Sequence, residues 1–118
     1  MGYEKFQGFE SLDDIRSKFE VSEDEKLFPT EDELLLAYNE SCNDGYAEEA
    51  HIYFVRDGQL YAVYASHCSC YGYEDKWGPE KEDWELVKKH LESWSEDTWL
   101  KERFEAVNKM FEMFGPGK

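Results

Sequence analysis

The chain has 118 residues, a length that suits one domain built around one hydrophobic core. Its aromatic fraction of 17% excludes disorder over most of its length, because disordered chains lack the large rings that bury area. With 28 Asp and Glu against 13 Lys and Arg, the formal net charge is −15, which argues against direct binding to nucleic acid or to an anionic membrane surface.

Residues 11–20 read as a short first helix. Ser11 suits an N-cap, Asp13 and Asp14 favour the first turn, and Leu12, Ile15 and Phe19 form one apolar stripe. Residues 22–33 read as a charged connector that Leu27, Phe28 and Pro29 anchor to the core. Residues 34–41 allow two readings. Thr30 and Glu33 could form a capping box that starts a helix, but the short apolar run ends in turn residues and reads better as a strand buried on both faces.

Residues 50–55 and 59–65 are rich in β-branched and aromatic side chains, and Asp57 and Gly58 between them suit a two-residue hairpin turn. Ile52 and Phe54 should face one side, Tyr53 and Val55 the other. Past Gly72 the period changes. Trp84, Val87, Leu91 and Trp94 predict a helix over 84–94, and Leu100, Phe104, Val107, Phe111 and Phe114 predict another over 98–113, stopped by Gly115 and Pro116. Met110 and Met113, with Phe111 and Phe114, should belong to the core, and His90 should lie on the surface. The fold class expected is α+β: a small antiparallel sheet of about three strands, an N-terminal helix and two C-terminal helices, in one domain over 1–118.

The three cysteines are Cys42, Cys68 and Cys70, and the N-terminus carries no apolar leader, so free or metal-bound thiols in a reducing cytosol are the expectation. The segment Ser66-His67-Cys68-Ser69-Cys70-Tyr71-Gly72 follows a strand and concentrates polar chemistry. His67, Cys68 and Cys70, with Cys42 or His51 as a fourth ligand, could hold zinc, although Cys-x-Cys on an extended segment does not wrap one ion well. A Cys68 or Cys70 nucleophile activated by His67 or His51 would need a lowered thiol pKa, which an acidic chain opposes. In the third reading the segment is structural: small residues pack where the strand leaves the sheet, and Tyr71, Tyr73 and Trp77 close the core against the C-terminal helices. There is no phosphate-cradling Gly-rich loop, no Gly-x-Ser-x-Gly elbow and no His-Glu-x-x-His.

Gly45-Tyr46-Ala47, the Asp57-Gly58 turn, the segment from Ser66 to Gly72, and then Trp77, Pro79-Glu80 and Trp84 form a pattern. It resembles that of a group of small proteins encoded by bacteriophages and mobile elements. Glu48 and Glu49 stand where that group has apolar residues, and the helical tail after residue 90 lies outside the resemblance. No catalytic residue comes with it; it implies a phage or prophage setting, in which small acidic proteins often inhibit host enzymes.

Charge and resemblance together give the expected function, a non-enzymatic acidic inhibitor without a cofactor. It would dock on the basic, nucleic-acid-binding surface of a host or defence protein, anti-CRISPR inhibition being one form. Asp44, Glu48, Glu49, Glu74 and Asp75, in turns or at strand ends, are the candidate partner-binding residues and should form one ridge. The alternative is a metal-binding or thiol-dependent module with His67, Cys68, Cys70 and Cys42 as ligands.

Overall fold

The computed structural model describes residues 3–42, 47–68 and 72–116, with the backbone alone at Cys42. Strand β1 (Phe6–Gln7) leads into helix α1 (Leu12–Phe19), strands β2 (Leu34–Cys42), β3 (Ala47–Arg56), β4 (Gln59–Cys68) and β5 (Glu80–Glu82), and helices α2 (Trp84–Trp94) and α3 (Lys101–Phe114). The fold is α+β, but the sheet has five strands in the order β1-β2-β3-β4-β5 where about three were expected. It is also mixed: β1 runs parallel to β2, with Phe6 opposite Ala37, while the other pairs are antiparallel. The two added strands are edges. One is two residues long and the other reads Glu-Lys-Glu, so neither carries the apolar alternation that marks a strand; short, charged edges also resist pairing with other chains.

The central hairpin forms as its sequence predicts. Asp57 and Gly58 both take positive φ (53° and 77°), which matches the right-handed twist of the flanking strands. Residues 34–42 are a strand, and the Thr30–Glu33 box forms as well. The Thr30 amide donates to Glu33 Oε1 (3.0 Å), and the Glu33 amide donates to Thr30 Oγ1 (3.3 Å), closing one turn from which β2 starts. Leu34 pairs with Phe54 and Leu36 with Tyr53, so Leu35 is an extra residue, a β-bulge. The bulge lets Leu35 and Leu36 both enter the core beneath α2 and α3, while Leu34 and Ala37 enter the core beneath α1.

The sheet is therefore covered on both faces. Ile15 and Phe19 of α1 pack with Phe9, Phe28, Ile52, Val63 and Tyr73 on one face; Val87, Leu91, Val107 and Met110 pack with Leu36, Tyr53 and Leu60 on the other. Tyr73 and Trp77 belong to the α1 face. Tyr73 stacks on Phe19 at 4.7 Å and Trp77 meets Phe19 edge-on at 5.4 Å, so they close the core opposite the C-terminal helices and not against them; Tyr71 lies outside the described residues.

Ser11 caps α1, its Oγ accepting from the Asp14 amide, and Asp83 caps α2. The last helical segment opens as a 3-10 turn (Thr98–Leu100) before α3. The buried face of α3 is Arg103, Ala106, Val107 and Met110, rotated from the predicted stripe. Phe111 flanks the core against Trp84, whereas Met113 and Phe114 are exposed (55% and 41%) and do not join it. No helix among the described residues is long and apolar enough to cross a membrane.

Candidate functional site

Consecutive strand residues point to opposite faces, and this separates the chemistry that the sequence places side by side. Glu48 and His67 are register partners on the α1 face. His67 Nε2 lies 2.7 Å from Glu48 Oε1, and Nδ1 lies 2.7 Å from the Cys68 carbonyl oxygen. Both neighbours are oxygen atoms, and which ring nitrogen donates depends on the tautomer. Tyr73 packs edge-on to this ring at 4.4 Å and donates to Asn39 Oδ1 (2.5 Å), while Asn39 Nδ2 donates to Glu48 Oε2 (3.3 Å). The network joins β2, β3, β4 and the segment after β4.

This geometry bears on the metal and thiol readings. Both His67 ring nitrogens already face oxygen atoms within the sheet network, those of Glu48 and of the Cys68 carbonyl. His51, the suggested fourth ligand, lies across the sheet among Tyr38, Tyr64 and Trp94. Among the described residues no group of three His, Cys, Asp or Glu side chains could hold a metal ion. Cys68 is half-buried beside His67; Cys70 and the Cys42 side chain lie outside the described residues.

On the face covered by α2 and α3, Glu40 and Glu49 are register partners. Two carboxylates directly opposite repel one another, and Arg103 of α3 bridges them. Its Nε donates to Glu40 Oε1 (3.2 Å), and its Nη2 donates to Glu40 Oε2 and to Glu49 Oε1 (2.6 Å). Burial disfavours the guanidinium charge, but the Glu40 hydrogen bond and the two carboxylate charges outweigh it and hold the pKa above its ordinary value. Arg103 also lies over the Trp94 ring at 5.2 Å. Sequence periodicity missed Arg103, since a buried arginine interrupts an apolar stripe; the signal was the pair of inward carboxylates, visible only once the β2–β3 register is known.

Next to this bridge, Tyr64 donates to Glu82 Oε2 at 2.6 Å, and burial, with the nearby Tyr53 and Glu82, pushes its phenol pKa well up. His51 is 6% exposed and neither ring nitrogen has a hydrogen-bond partner; burial first, then the charges of Arg103 and His90, push its pKa down to about 3. Tyr53 Oη has Tyr64 as a polar neighbour without hydrogen-bond geometry between them. His90 is half-buried, stacked on Trp94 at 5.4 Å and packed against Tyr64.

Of the candidate partner-binding residues, Glu48 and Glu49 stand on opposite faces and each is ion-paired, to His67 and Arg103 respectively. They do not share a ridge. Glu74 and Asp75 are exposed, and Asp44 lies outside the described residues. The segment bearing Glu74 and Asp75 is packed onto α1 and the connector through Tyr73 and Trp77. Trp77 Nε1 donates to the Leu27 carbonyl (3.2 Å), and its ring lies 5.1 Å from Phe28.

That places Glu74 and Asp75 on the side of the molecule where negative charge concentrates. Residues 10–33 carry ten carboxylates against three cations, a balance of −7 within a chain of −15. Glu10, Asp13, Glu20, Glu23, Asp24, Glu25, Glu31 and Asp32 are exposed, and none has an ion-pair partner among the described residues. The cations nearby serve the fold. Lys18 pairs with Asp14, Arg16 donates to the Ser22 carbonyl and covers the Phe28 ring, and Arg56 pairs with Glu33 and donates to the Lys26 and Phe28 carbonyls. Sequence reasoning placed the acidic site at the hairpin ends; the α1–connector charge was visible in composition, but not its exposure.

No protein-family model, curated protein or solved structure matches the chain.

Proposed function

We propose that this protein is a non-enzymatic acidic binding module that docks on the basic, nucleic-acid-binding surface of another protein, in the manner of a phage-encoded anti-defence inhibitor such as an anti-CRISPR. The docking surface is the α1–connector edge, extended by Glu74 and Asp75. One observation carries the reading: the connector has no regular secondary structure, yet Arg56 and Trp77 pin it in place through Glu33, Phe28 and the Lys26 and Leu27 carbonyls, while Glu23, Asp24, Glu25, Glu31 and Asp32 have no ion-pair partner among the described residues. A chain selected for stability alone would gain by neutralising some of that charge. Fixed, unpaired carboxylates instead lose little freedom on meeting a basic surface and steer it into register.

The test is capture from a bacterial lysate by the wild-type protein and by a Glu20→Lys, Glu23→Lys, Asp24→Lys, Glu25→Lys variant. All four positions are exposed, so the variant should fold. Wild type should retain a partner at 50 mM salt (a concentration at which Debye screening reaches only about 15 Å) and lose it as salt rises. The variant should fail to capture it, and duplex DNA should compete. A partner held equally by both proteins, insensitive to salt and DNA, would overturn the reading and shift attention to Trp99, which is 93% exposed between α2 and α3.

A further inference from the structure

Strand β4 is ten residues long, yet β5 pairs with only three of them, Leu60, Tyr61 and Ala62. Past that point β4 is the outer strand of the sheet. Among the described residues, no strand and no backbone hydrogen bond reaches the outer side of residues 63–66. The described chain beyond β4 does not fill the gap: Tyr73 and Trp77 carry it across the α1 face, and it rejoins the sheet only at β5. In an antiparallel ladder alternate residues turn their N–H and C=O outward, so this stretch offers unpaired groups to another strand.

Soluble proteins guard such edges with Lys, Pro, a bulge or an inward-pointing charge. The free part of β4 has none of these devices. Its side chains from 63 to 66 are Val, Tyr, Ala and Ser, its register with β3 is unbroken, and β4 carries no Asp, Glu, Lys or Arg from Gln59 to Cys68. Helix α2 alongside carries Glu85, Lys88, Lys89 and Glu92, whose charges cancel. Glu48 and Glu49 of β3 are held by His67 and Arg103. In a chain of net charge −15, this flank is close to neutral. It is also apolar. Leu86 and His90 lie one turn apart on one face of α2, His90 packs edge-on against Tyr64 at 6.0 Å, and Leu86 and Tyr64 are each 42% exposed.

A neutral edge gives a basic partner nothing to read; what it complements is a second neutral edge. The same edge on another copy meets that requirement, since a two-fold axis through it sets identical strands antiparallel and lays the apolar strip of each copy beside that of the other. We propose that the protein forms a two-fold dimer in which residues 63–66 of β4 pair with the same residues of a second copy, with Tyr64, Leu86 and His90 packed across the junction. The interface lies on the β4–α2 flank, apart from the α1–connector edge, and its failure would leave the docking proposal untouched.

The experiment is sedimentation velocity on the intact chain from about 1 μM to about 1 mM. A species of twice the chain's 14.0 kDa should grow with concentration. Raising salt from about 50 to about 300 mM should strengthen it, because salt screens the repulsion between two chains of −15 and leaves strand pairing and apolar contact in place; docking through the acidic edge weakens with salt instead. Ser66→Lys and Leu86→Lys, both at exposed positions, add a charge of one sign to both halves of the junction, and each should raise the dimer dissociation constant about tenfold or more. Met113→Lys, at an exposed position on α3, should leave it unchanged. Hydrogen exchange gives the location: amide protection within residues 63–66 should rise with protein concentration. A 14.0 kDa species throughout would overturn the proposal and leave the edge to an extended segment of another protein. A dimer that keeps its affinity in both Ser66→Lys and Leu86→Lys, or whose residues 63–66 exchange at a rate independent of concentration, would overturn it as well and move the interface elsewhere.

Discussion

The buried His51 makes the stability of this protein depend on pH in a way that can be worked out in advance. The ring is 6% exposed, and its pKa is pushed down to about 3 from an ordinary 6.5. Below pH 6.5 the unfolded chain takes up a proton that the folded chain refuses, so stability falls as pH drops through 6.5 and keeps falling until about 3. Each pH unit inside that window costs about 1.4 kcal/mol, and the change from pH 7 to pH 5 amounts to about 2 kcal/mol. Acidification also relieves repulsion within a chain of net charge −15 and titrates other histidines and carboxylates. Those contributions are common to wild type and His51→Leu, so the difference between the two isolates the His51 contribution. Urea unfolding followed by tryptophan fluorescence at pH 8, 7, 6 and 5 measures it. The stability of wild type relative to His51→Leu should hold steady from pH 8 to 7 and then decline by about 2 kcal/mol by pH 5. Parallel curves across that range would mean that His51 gains its proton in the folded state as easily as in the unfolded one, and the account of an unpartnered, desolvated ring would be wrong.

Arg103→Leu should cost about 2–4 kcal/mol in the same unfolding assay, since it leaves Glu40 and Glu49 facing each other without a cation, and Arg103→Lys should recover only part of the loss because one ammonium cannot span both carboxylates as the guanidinium does. Gly8→Ala should lower stability by about 1–3 kcal/mol: Gly8 has φ +97°, and a Cβ there would stand 2.7 Å from the Asn39 carbonyl oxygen, beside the β1–β2 pairing. Overnight dialysis against EDTA should leave Tm unchanged, because the His67 ring is engaged by Glu48 and by the Cys68 carbonyl; a large drop, with about one zinc per chain by metal analysis, would restore the metal reading.

Local chemistry was enough to set most of the elements. The Asp57 and Gly58 turn, the Ser11 cap on α1 and the 84–94 periodicity act over a few residues and do not depend on what packs above them, so the sequence alone specified them. The Thr30–Glu33 box shows where local chemistry stops. It forms as written, but one turn later the Leu34-Leu35-Leu36 run is taken by the sheet, since pairing with β3 satisfies its backbone while burying it on both faces. Edges β1 and β5 were invisible for the opposite reason: their residues carry no strand signal and are held by their neighbours' hydrogen bonds.

The polar sites depended on register, and register is a tertiary property. The sequence showed Glu48 and Glu49 as one acidic pair; a strand sends them to opposite faces, where one meets His67 and the other Arg103 from the far end of the chain. It showed His51 and His67 as alternative activators of one cysteine motif, and the sheet separates them. Composition fixed the excess of negative charge. Which carboxylates are neutralised and which stand unpaired on the α1–connector edge was decided only when the fold drew Lys18, Arg56 and Arg103 to their partners, because ion pairing acts over a few ångströms in space and is indifferent to distance along the chain.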